Sequence, residues 1–420
     1  MRVIADLHIH SRFSRATSNA LTIPNLEKYA KIKGVNLIGT GDFTHPSWLG
    51  ELKKELKEEN GILKTKSGFN FILQAEISNI YSQDGRLRRI HNVILAKNFS
   101  IVGQINELLA KKGNLKADGR PIFGSYSCIE LAEDLMKIDK DIEIIPAHCW
   151  TPWFSIFGSM SGFDSVEECF QDKAKYIHAL ETGMSSDPAM NWRLSKLDKF
   201  TLISNSDLHS YWPWRIGREA NVFELKEVTY ENVINAIRTR KNFLFTIEVD
   251  PGYGKYHFDG HRACNVCMSP AESVKNKDIC PKCGRKITIG VLHRVEELAD
   301  RELGFKPKGA VPFKSLIPLS EIISHLIGSP ISSKKTWEEY YSLVKENRAE
   351  LDILLETPAE ELKKLTDEKI AEAIIKNREG KINIQPGYDG EYGYPVFGKQ
   401  EIEEKIEIKH KQTGLNDFME

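Results

Sequence analysis

Near its start the chain reads Val3-Ile4-Ala5-Asp6-Leu7-His8-Ile9-His10, an apolar run that ends in a carboxylate and two imidazoles. Because alternate side chains of an extended segment point the same way, His8 and His10 would lie on one side of it. The same pattern, a short apolar run followed by a polar tip and a helical stretch, recurs up to about residue 247. Such alternation is typical of β/α units and predicts an α/β fold.

Seven apolar runs qualify as strands, and this number favours a barrel over a short open sheet. They span residues 3–7, 36–39, 69–75, 91–96, 142–147, 179–182 and 201–205. Helices are predicted over 24–32, 48–59 and 230–238, the first with a proline in its first turn. We therefore expect residues 1–250 to form one barrel domain.

Histidines and carboxylates recur at the ends of these strands. They are Asp6, His8, His10, Asp42, His45, Glu76, His148, Glu181, Asp207 and His209, with His91 at the start of its strand. All strand C-termini of a β/α barrel open on one face, where these side chains would converge. Imidazoles combined with carboxylates favour borderline divalent ions such as Zn²⁺ or Mn²⁺. For any single histidine, the alternative is a hydrogen-bonded core or surface residue.

Two Cys-x-x-Cys pairs, Cys264 with Cys267 and Cys280 with Cys283, are separated by twelve residues in a turn-rich segment. Four thiolates at this spacing predict a closed tetrahedral Zn²⁺ site, and the small module 251–294 would depend on that ion for folding. A redox role of the two pairs is the alternative.

The composition excludes several classes of protein. Lysine plus arginine (58) nearly balances aspartate plus glutamate (59), so no overall field draws the chain to polyanions. No apolar run approaches the roughly 20 residues that cross a bilayer, so no membrane contact is expected. Seven cysteines are an odd number for a disulfide framework, which favours a cytoplasmic protein. Helical periodicity predicts a helical domain over 295–400, followed by a charged tail, 401–420.

The ordered motifs of the barrel resemble those of the polymerase and histidinol phosphatase (PHP) superfamily. The resemblance rests on residues 6–11, Glu76, His91, His148 and 206–209. It implies a distorted seven-stranded β/α barrel that holds two or three divalent ions, Zn²⁺, Mn²⁺ or Mg²⁺, and hydrolyses phosphoesters.

This resemblance also implies a role for each ligand. One ion would be held by His8, His10, Glu76 and Asp207. Glu76 would bridge to a second ion held by His91 and His148, and His209 would belong to a third. The implied catalytic residues are Glu76, Asp207 and His148.

The chain departs from the superfamily pattern after its second strand. Many members have Thr-Asp-His where this chain has Thr40-Gly41-Asp42-Phe43. Asp42 or His45 would therefore have to complete the third metal site.

Taken whole, the chain resembles archaeal endonuclease Q, through its barrel, its four-cysteine module, its helical region and the tyrosine-rich segment 386–393. That family nicks DNA on the 5′ side of the deaminated bases hypoxanthine, uracil and xanthine and at abasic sites. The resemblance thus implies a DNA repair endonuclease that leaves 3′-OH and 5′-phosphate ends.

Basic and aromatic side chains near the two metal sites are candidates for binding DNA through phosphates or unstacked bases. They are Arg86, Arg88, Arg89, Trp214, Arg215, Lys282, Arg285 and Lys286. The alternatives are a merely solvated basic surface and ordinary packing of aromatic rings in loops.

The tail carries one further pattern. Gln412, Leu415 and Phe418 resemble the box with which repair proteins bind the sliding clamp (PCNA), with Met419 in place of the final aromatic residue. Such a tail could insert its apolar side chains into a partner's pocket.

Two other functions are compatible with the sequence. One is a PHP-type phosphatase that acts on a small phosphate ester, although the residues beyond the barrel are unnecessary for that reaction. The other is a catalytically inactive scaffold that binds nucleic acid, which the Phe43 departure favours and the full set of ligand residues disfavours.

Overall fold

The structure is a computed structural model that describes residues 1–397. The three clamp-binding candidates, Gln412, Leu415 and Phe418, lie outside the described residues, so that interaction stays a prediction. Among the residues described, no helix is long and apolar enough to cross a membrane.

The first 250 residues form twelve strands and seven α-helices. The strands are β1 (Arg2–Asp6), β2 (Leu37–Gly39), β3 (Lys57–Glu59), β4 (Ile62–Lys64), β5 (Asn70–Gln83), β6 (Arg86–Ala96), β7 (Ile122–Gly124), β8 (Glu143–Pro146), β9 (Ala179–Glu181), β10 (Thr201–Ile203), β11 (Ala220–Glu224) and β12 (Phe243–Glu248). The helices are α1 (Ile23–Lys33), α2 (Pro46–Glu55), α3 (Phe99–Ala110), α4 (Cys128–Ile138), α5 (Val166–Phe170), α6 (Pro188–Asn191) and α7 (Tyr230–Thr239).

Seven of these strands, β1, β2, β5, β6, β8, β9 and β10, coincide with the seven predicted strands and form the barrel. β1 pairs with β2 and β2 with β5 in parallel, whereas β6 runs antiparallel to both β5 and β8. β9 and β10 form a parallel pair, and a bridge between Ile9 and Leu208 brings the end of β10 against the end of β1. The antiparallel β6 makes this barrel a distorted one.

The predicted helix 48–59 was wrong at its C-terminal end. α2 stops at Glu55, and the chain continues into the hairpin β3–β4. Asn60 and Gly61 form its two-residue turn, with φ of 51° and 74°. Asn-Gly is the preferred dipeptide for a turn in which both residues need positive φ, so the hairpin overrides the helical periodicity.

The cysteine-containing module consists of the hairpin β13 (Asp259–His261) and β14 (Val266–Met268), followed by α8 (Pro270–Lys275) and α9 (Val291–Leu298). Short 3₁₀ helices lie at Pro251–Tyr253 and Arg262–Cys264. Its own apolar core is small and contains Val266, Met268, Cys280 and Ile287. So few buried side chains cannot offset the entropy of folding, which fits a module that needs a metal.

The C-terminal region is mainly helical. Its elements are β15 (Phe313–Ser315), α10 (Leu319–Leu326), α11 (Lys334–Leu343), α12 (Glu350–Leu355), α13 (Ala359–Leu365), α14 (Glu368–Arg378), β16 (Asn383–Gln385) and β17 (Tyr394–Val396). β15 extends the barrel sheet beside β12, and the β16–β17 hairpin returns to the module, where Tyr388 pairs with Phe258. The fold class is therefore confirmed, while the domain boundaries at 250, 294 and 400 stay predictions.

A buried ion pair fixes the helical region to the barrel. Lys33, at the end of α1, lies 2.7 Å from Oε1 of Glu350, and both side chains are almost fully buried. The Tyr340 hydroxyl donates to the other oxygen of Glu350 at 2.7 Å. Every charged atom of the pair therefore has a partner, as burial requires.

Candidate active site

The barrel brings six of the nine predicted ligands together. His8 and His10 follow β1 and Glu76 lies within β5; all three side chains are buried. Three residues at strand ends have positive φ although they are not glycine: Asp42 (43°), His148 (31°) and Asp207 (46°). Backbone strain of this kind is concentrated at functional sites.

Two ligand groups share one carboxylate. The first contains His8, His10, Glu76 and Asp207, and the second contains Glu76, His91 and His148; the ligand atoms of each group lie within 4.8 Å of one another. His10 Nε2 lies 3.2 Å from Glu76 Oε2, whereas His91 Nδ1 lies 2.7 Å from Glu76 Oε1. Glu76 thus presents one oxygen to each group, as a carboxylate bridging two metal ions would.

The unpartnered atoms of the first group show that it fits a metal ion. His8 Nε2, His10 Nε2 and Asp207 Oδ1 are buried and have no hydrogen-bond partner. The other ring nitrogen of each histidine contacts a carboxylate, His8 Nδ1 at 2.9 Å from Glu181 and His10 Nδ1 at 3.0 Å from Asp42. A carboxylate in this position fixes the imidazole tautomer and leaves Nε2 free for a cation.

The charged groups of the site shift one another's pKa values towards the ionised forms. Burial opposes ionisation of Glu76, but the neighbouring His91, Arg120 and His8 hold the pKa of this carboxyl well below its usual range. Burial likewise disfavours a charged His8, yet Glu181, Asp207 and Glu76 raise the pKa of this imidazole well above its usual value. Glu76 therefore stays ionised and available to a metal at neutral pH.

Three predicted ligands lie outside both groups. The oxygens of Asp42 accept hydrogen bonds from His10, from the Ser11 amide and hydroxyl, and from Ser14. His45 stacks on Phe13 with ring centroids 4.4 Å apart, and His209 contacts the Asp207 carbonyl oxygen through Nδ1 at 2.9 Å. The metal-ligand groups found among residues 1–397 include none of these three, so the third metal site stays a prediction.

Arg120 had not been predicted as part of the site, and Glu181 had been predicted only as a strand-end carboxylate, without a ligand role. Glu181 ends β9 and was visible in the sequence as a strand-end carboxylate, but its contact with His8 depends on how the barrel closes. Arg120 donates to Glu76 Oε2 at 3.0 Å from a loop between α3 and β7. No periodicity or motif singles out Arg120 in the sequence.

The cysteine module brings together three of its four predicted ligands. Cys264, Cys280 and Cys283 form a group with His261, and all four ligand atoms lie within 4.8 Å of one another. In the β13–β14 hairpin His261 is paired with Val266, whereas Cys267 is paired with Gly260. Because side chains alternate along a strand, Cys267 lies on the opposite face from His261. The donor set fits Zn²⁺, with an imidazole beside three thiolates.

The predicted DNA-binding residues differ in how exposed their side chains are. Arg88 is buried, donates to the Gly162 carbonyl and lies 3.9 Å from the centre of the Phe163 ring. Trp214 stacks on Trp212 with centroids 5.2 Å apart. Arg89 and Arg215 are half-buried. Four basic side chains are exposed: Arg86, Lys282, Arg285 and Lys286. The DNA contacts of all these side chains stay predictions.

The module lies against the loop that follows His148. Trp153 of this loop meets Tyr256 edge to face, with ring centroids 5.4 Å apart. Arg294 of α9 donates to the Phe157 carbonyl at 3.2 Å and pairs with Asp164. These contacts attach the module to the loop that follows His148.

Comparison with solved structures relates this architecture to known proteins. The crystal structure of the lesion-specific endonuclease PfuEndoQ from Pyrococcus furiosus is 35% identical, with a TM-score of 0.86 over 97% of this chain and 98% of that one. The chain belongs to the endonuclease Q family. A second endonuclease Q structure, in complex with a 27-mer duplex substrate that has an abasic lesion at the active site, is 34% identical, with a TM-score of 0.84 over 97% of this chain and 99% of that one.

Curated sequences extend the similarity. The protein MJ0043 of Methanocaldococcus jannaschii is 38% identical over 264 residues, which are 61% of this chain but only 32% of MJ0043. The protein YqxK of Bacillus subtilis is 28% identical over 412 residues, covering 93% of this chain and 98% of YqxK. A family profile described as the MJ0043 C-terminal domain matches residues 318–381. Membership of the endonuclease Q family confirms the resemblance inferred from the motifs and the expected enzyme class, a hydrolase of the DNA endonuclease type.

Proposed function

We propose that the protein is a metal-dependent DNA endonuclease that cleaves the phosphodiester on the 5′ side of damaged nucleotides. One observation carries the proposal: the fold matches that of PfuEndoQ with a TM-score of 0.86, and the barrel offers two ligand groups that share Glu76. The proposed substrates are duplexes that contain hypoxanthine, uracil, xanthine or an abasic site. The products would be 3′-OH and 5′-phosphate ends.

Different side chains have different roles in the proposed hydrolysis. Divalent ions held in the two groups would supply the Lewis acidity that activates water and stabilises the departing oxygen. Glu76 holds the two groups in register, and the buried carboxylates Glu181 and Asp42 fix the rings of His8 and His10. In the reaction the oxygen of water bonds to phosphorus, the P–O3′ bond breaks, and O3′ leaves with a proton.

The cysteine module is proposed to bind Zn²⁺ and the DNA backbone. Its loop around Cys280 and Cys283 exposes Lys282, Arg285 and Lys286, which could neutralise phosphates through release of counterions. The contacts of Trp153 and Arg294 join the module to the loop that follows His148. Phosphates held by the module would therefore place an adjacent nucleotide over the metal-ligand groups.

The test uses end-labelled duplexes that differ in one nucleotide: deoxyuridine, deoxyinosine, deoxyxanthosine, an abasic site or an undamaged base. Each is incubated with the protein and Mg²⁺, Mn²⁺ or Zn²⁺ and resolved on a denaturing gel. We expect a single cut 5′ of the lesion, absent from the undamaged duplex and abolished by a chelator. Release of phosphate from nucleotides without any nicking would instead support the phosphatase, and tight binding without cleavage under any metal would support the inactive scaffold.

A further inference from the structure

The loop segment Asp118–Pro121 crosses the mouth of the barrel beside Glu76. Three hydrogen bonds attach it to separate parts of the barrel rim. The Gly119 amide donates to the Phe13 carbonyl at 2.9 Å, the Thr44 hydroxyl donates to the Gly119 carbonyl at 3.0 Å, and the Ser78 amide donates to the Pro121 carbonyl at 3.0 Å. The segment is therefore held in place as part of the site.

Because residue 119 is a glycine, the segment can lie directly against Asp42 and Ser14, which both contact the His10 ring. A Cβ at this position would lie 2.4 Å from both Asp42 Oδ2 and Ser14 Oγ. Asp42 in turn orients the His10 ring. The backbone before Arg120 is thus positioned by the same carboxylate that positions a metal ligand.

Arg120 points from this segment into the site. Its Nη1 donates to Glu76 Oε2 at 3.0 Å, and its side chain is 24% exposed. In residues 1–397 this is the only hydrogen bond that its guanidinium donates, so four of its five N–H groups are uncommitted. A guanidinium fork matches the geometry of two phosphate oxygens, and its charge does not depend on pH near neutrality.

We propose that Arg120 is a catalytic residue that holds a non-bridging oxygen of the scissile phosphate. Glu76 aims the guanidinium at the place where the two ligand groups meet, and the uncommitted N–H groups bind the phosphate there. Arg120 then stabilises the additional negative charge that develops on the phosphoryl oxygens in the transition state. This role rests on the proposed phosphodiester cleavage, but it does not depend on which lesion is recognised.

The test compares R120A and R120K with K116A, which removes an exposed lysine of the same loop and is the matched control. Two substrates separate catalysis from lesion recognition: an abasic-site duplex and the simple diester thymidine 5′-(p-nitrophenyl) phosphate. We expect R120A to lower the single-turnover rate on both substrates by on the order of 10²–10³-fold, as loss of one transition-state donor does. R120K should recover part of the rate, and K116A should keep it.

Further readouts distinguish direct contact with phosphate from a structural effect on Glu76. The barrel metal content of R120A, measured by mass spectrometry, should equal that of the parent protein. With phosphorothioate duplexes, the rate penalty of one diastereomer should shrink in R120A, because sulfur then replaces an oxygen that no longer has its guanidinium partner.

Unchanged rates in R120A would overturn the proposal, as would a loss of rate that follows a loss of bound metal. The small diester keeps this result separate from the proposed function. If the parent protein hydrolyses the diester but nicks no damaged duplex, the lesion endonuclease fails while the diester rates of R120A still decide the role of Arg120. If the parent protein hydrolyses neither substrate, both proposals fail.

Discussion

The barrel site and the cysteine module both gather metal ligands at strand ends, but they are supported in different ways. In the barrel His8, His10 and Glu76 are fully buried, and Glu181 and Asp42 fix the two imidazoles. In the module Cys283 is exposed, and the local core consists of a few side chains. We therefore propose that the barrel is organised for a metal before it binds one, whereas the module depends on a metal for its fold.

The largest effect should come from removing a ligand of the module. C280S should lose one equivalent of zinc and unfold residues 251–294, because the binding energy of a structural zinc, on the order of 10 kcal/mol, is largely folding energy. C267S is the matched control and should keep the zinc, since Cys267 lies on the opposite face of its hairpin. Zinc content and hydrogen exchange measure both outcomes.

Substitution with Co²⁺ sharpens this contrast. The charge-transfer absorption should correspond to three thiolates and should be unchanged in C267S, while H261A should weaken metal binding strongly. A four-thiolate spectrum, with zinc retained in H261A and lost in C267S, would restore the ligand set predicted from the sequence.

The next effect concerns the attachment of the helical region, which needs no metal. K33M should destabilise the protein by about 3–5 kcal/mol, because it leaves the Glu350 carboxylate buried without its partner. K31M, on the same helix, breaks the exposed contact with Glu27 and should cost less than about 1 kcal/mol. The decrease in the free energy of unfolding of K33M, measured with a denaturant, should be equal with and without a chelator. A chelator-dependent loss would show that the helical region relies on the metals.

These contrasts also explain what the sequence could predict. The seven strands and five of the six grouped ligands repeat one pattern of apolar run and polar tip, so periodicity locates them. Arg120 lies in an irregular loop and has no such signal, and its place depends on Gly119 fitting against Asp42. His261 lies with Cys264, Cys280 and Cys283, and Cys267 lies apart from them, because of a strand register that cysteine spacing does not encode. The end of α2 was missed because the Asn60-Gly61 turn outweighs helical periodicity.

A smaller effect tests the pre-organisation of the barrel. E181Q should keep the fold but weaken metal binding by about 10–100-fold, since the amide holds the His8 tautomer less well than a carboxylate does. E181Q should need a higher Mn²⁺ concentration for half-maximal nicking, and it should reach the parental rate when Mn²⁺ is saturating. An unchanged Mn²⁺ dependence would show that Glu181 does not organise the ligand.

A pH-dependent effect comes from Glu248, a buried carboxyl that accepts hydrogen bonds from two threonine hydroxyls. Burial raises its pKa from 4.5 to about 8, despite hydrogen bonds from Thr246 and Thr182. Its contribution to stability is therefore fully present below pH 4.5 and is lost as the pH rises through about 8. The melting temperature of the parent protein should fall more between pH 6 and 9 than that of E248Q. Equal decreases would contradict this assignment.

The central claim is that the two ligand groups sharing Glu76 cleave damaged DNA. The most direct measurement is single-turnover cleavage of an abasic-site duplex with Mn²⁺ by the parent protein and by E76Q, with DNA binding and melting temperature recorded on the same samples. We predict that the parent protein makes one cut 5′ of the lesion, and that E76Q loses at least about 10³-fold in rate while it still folds and binds the duplex. Parental cleavage by a correctly folded E76Q protein would contradict the account.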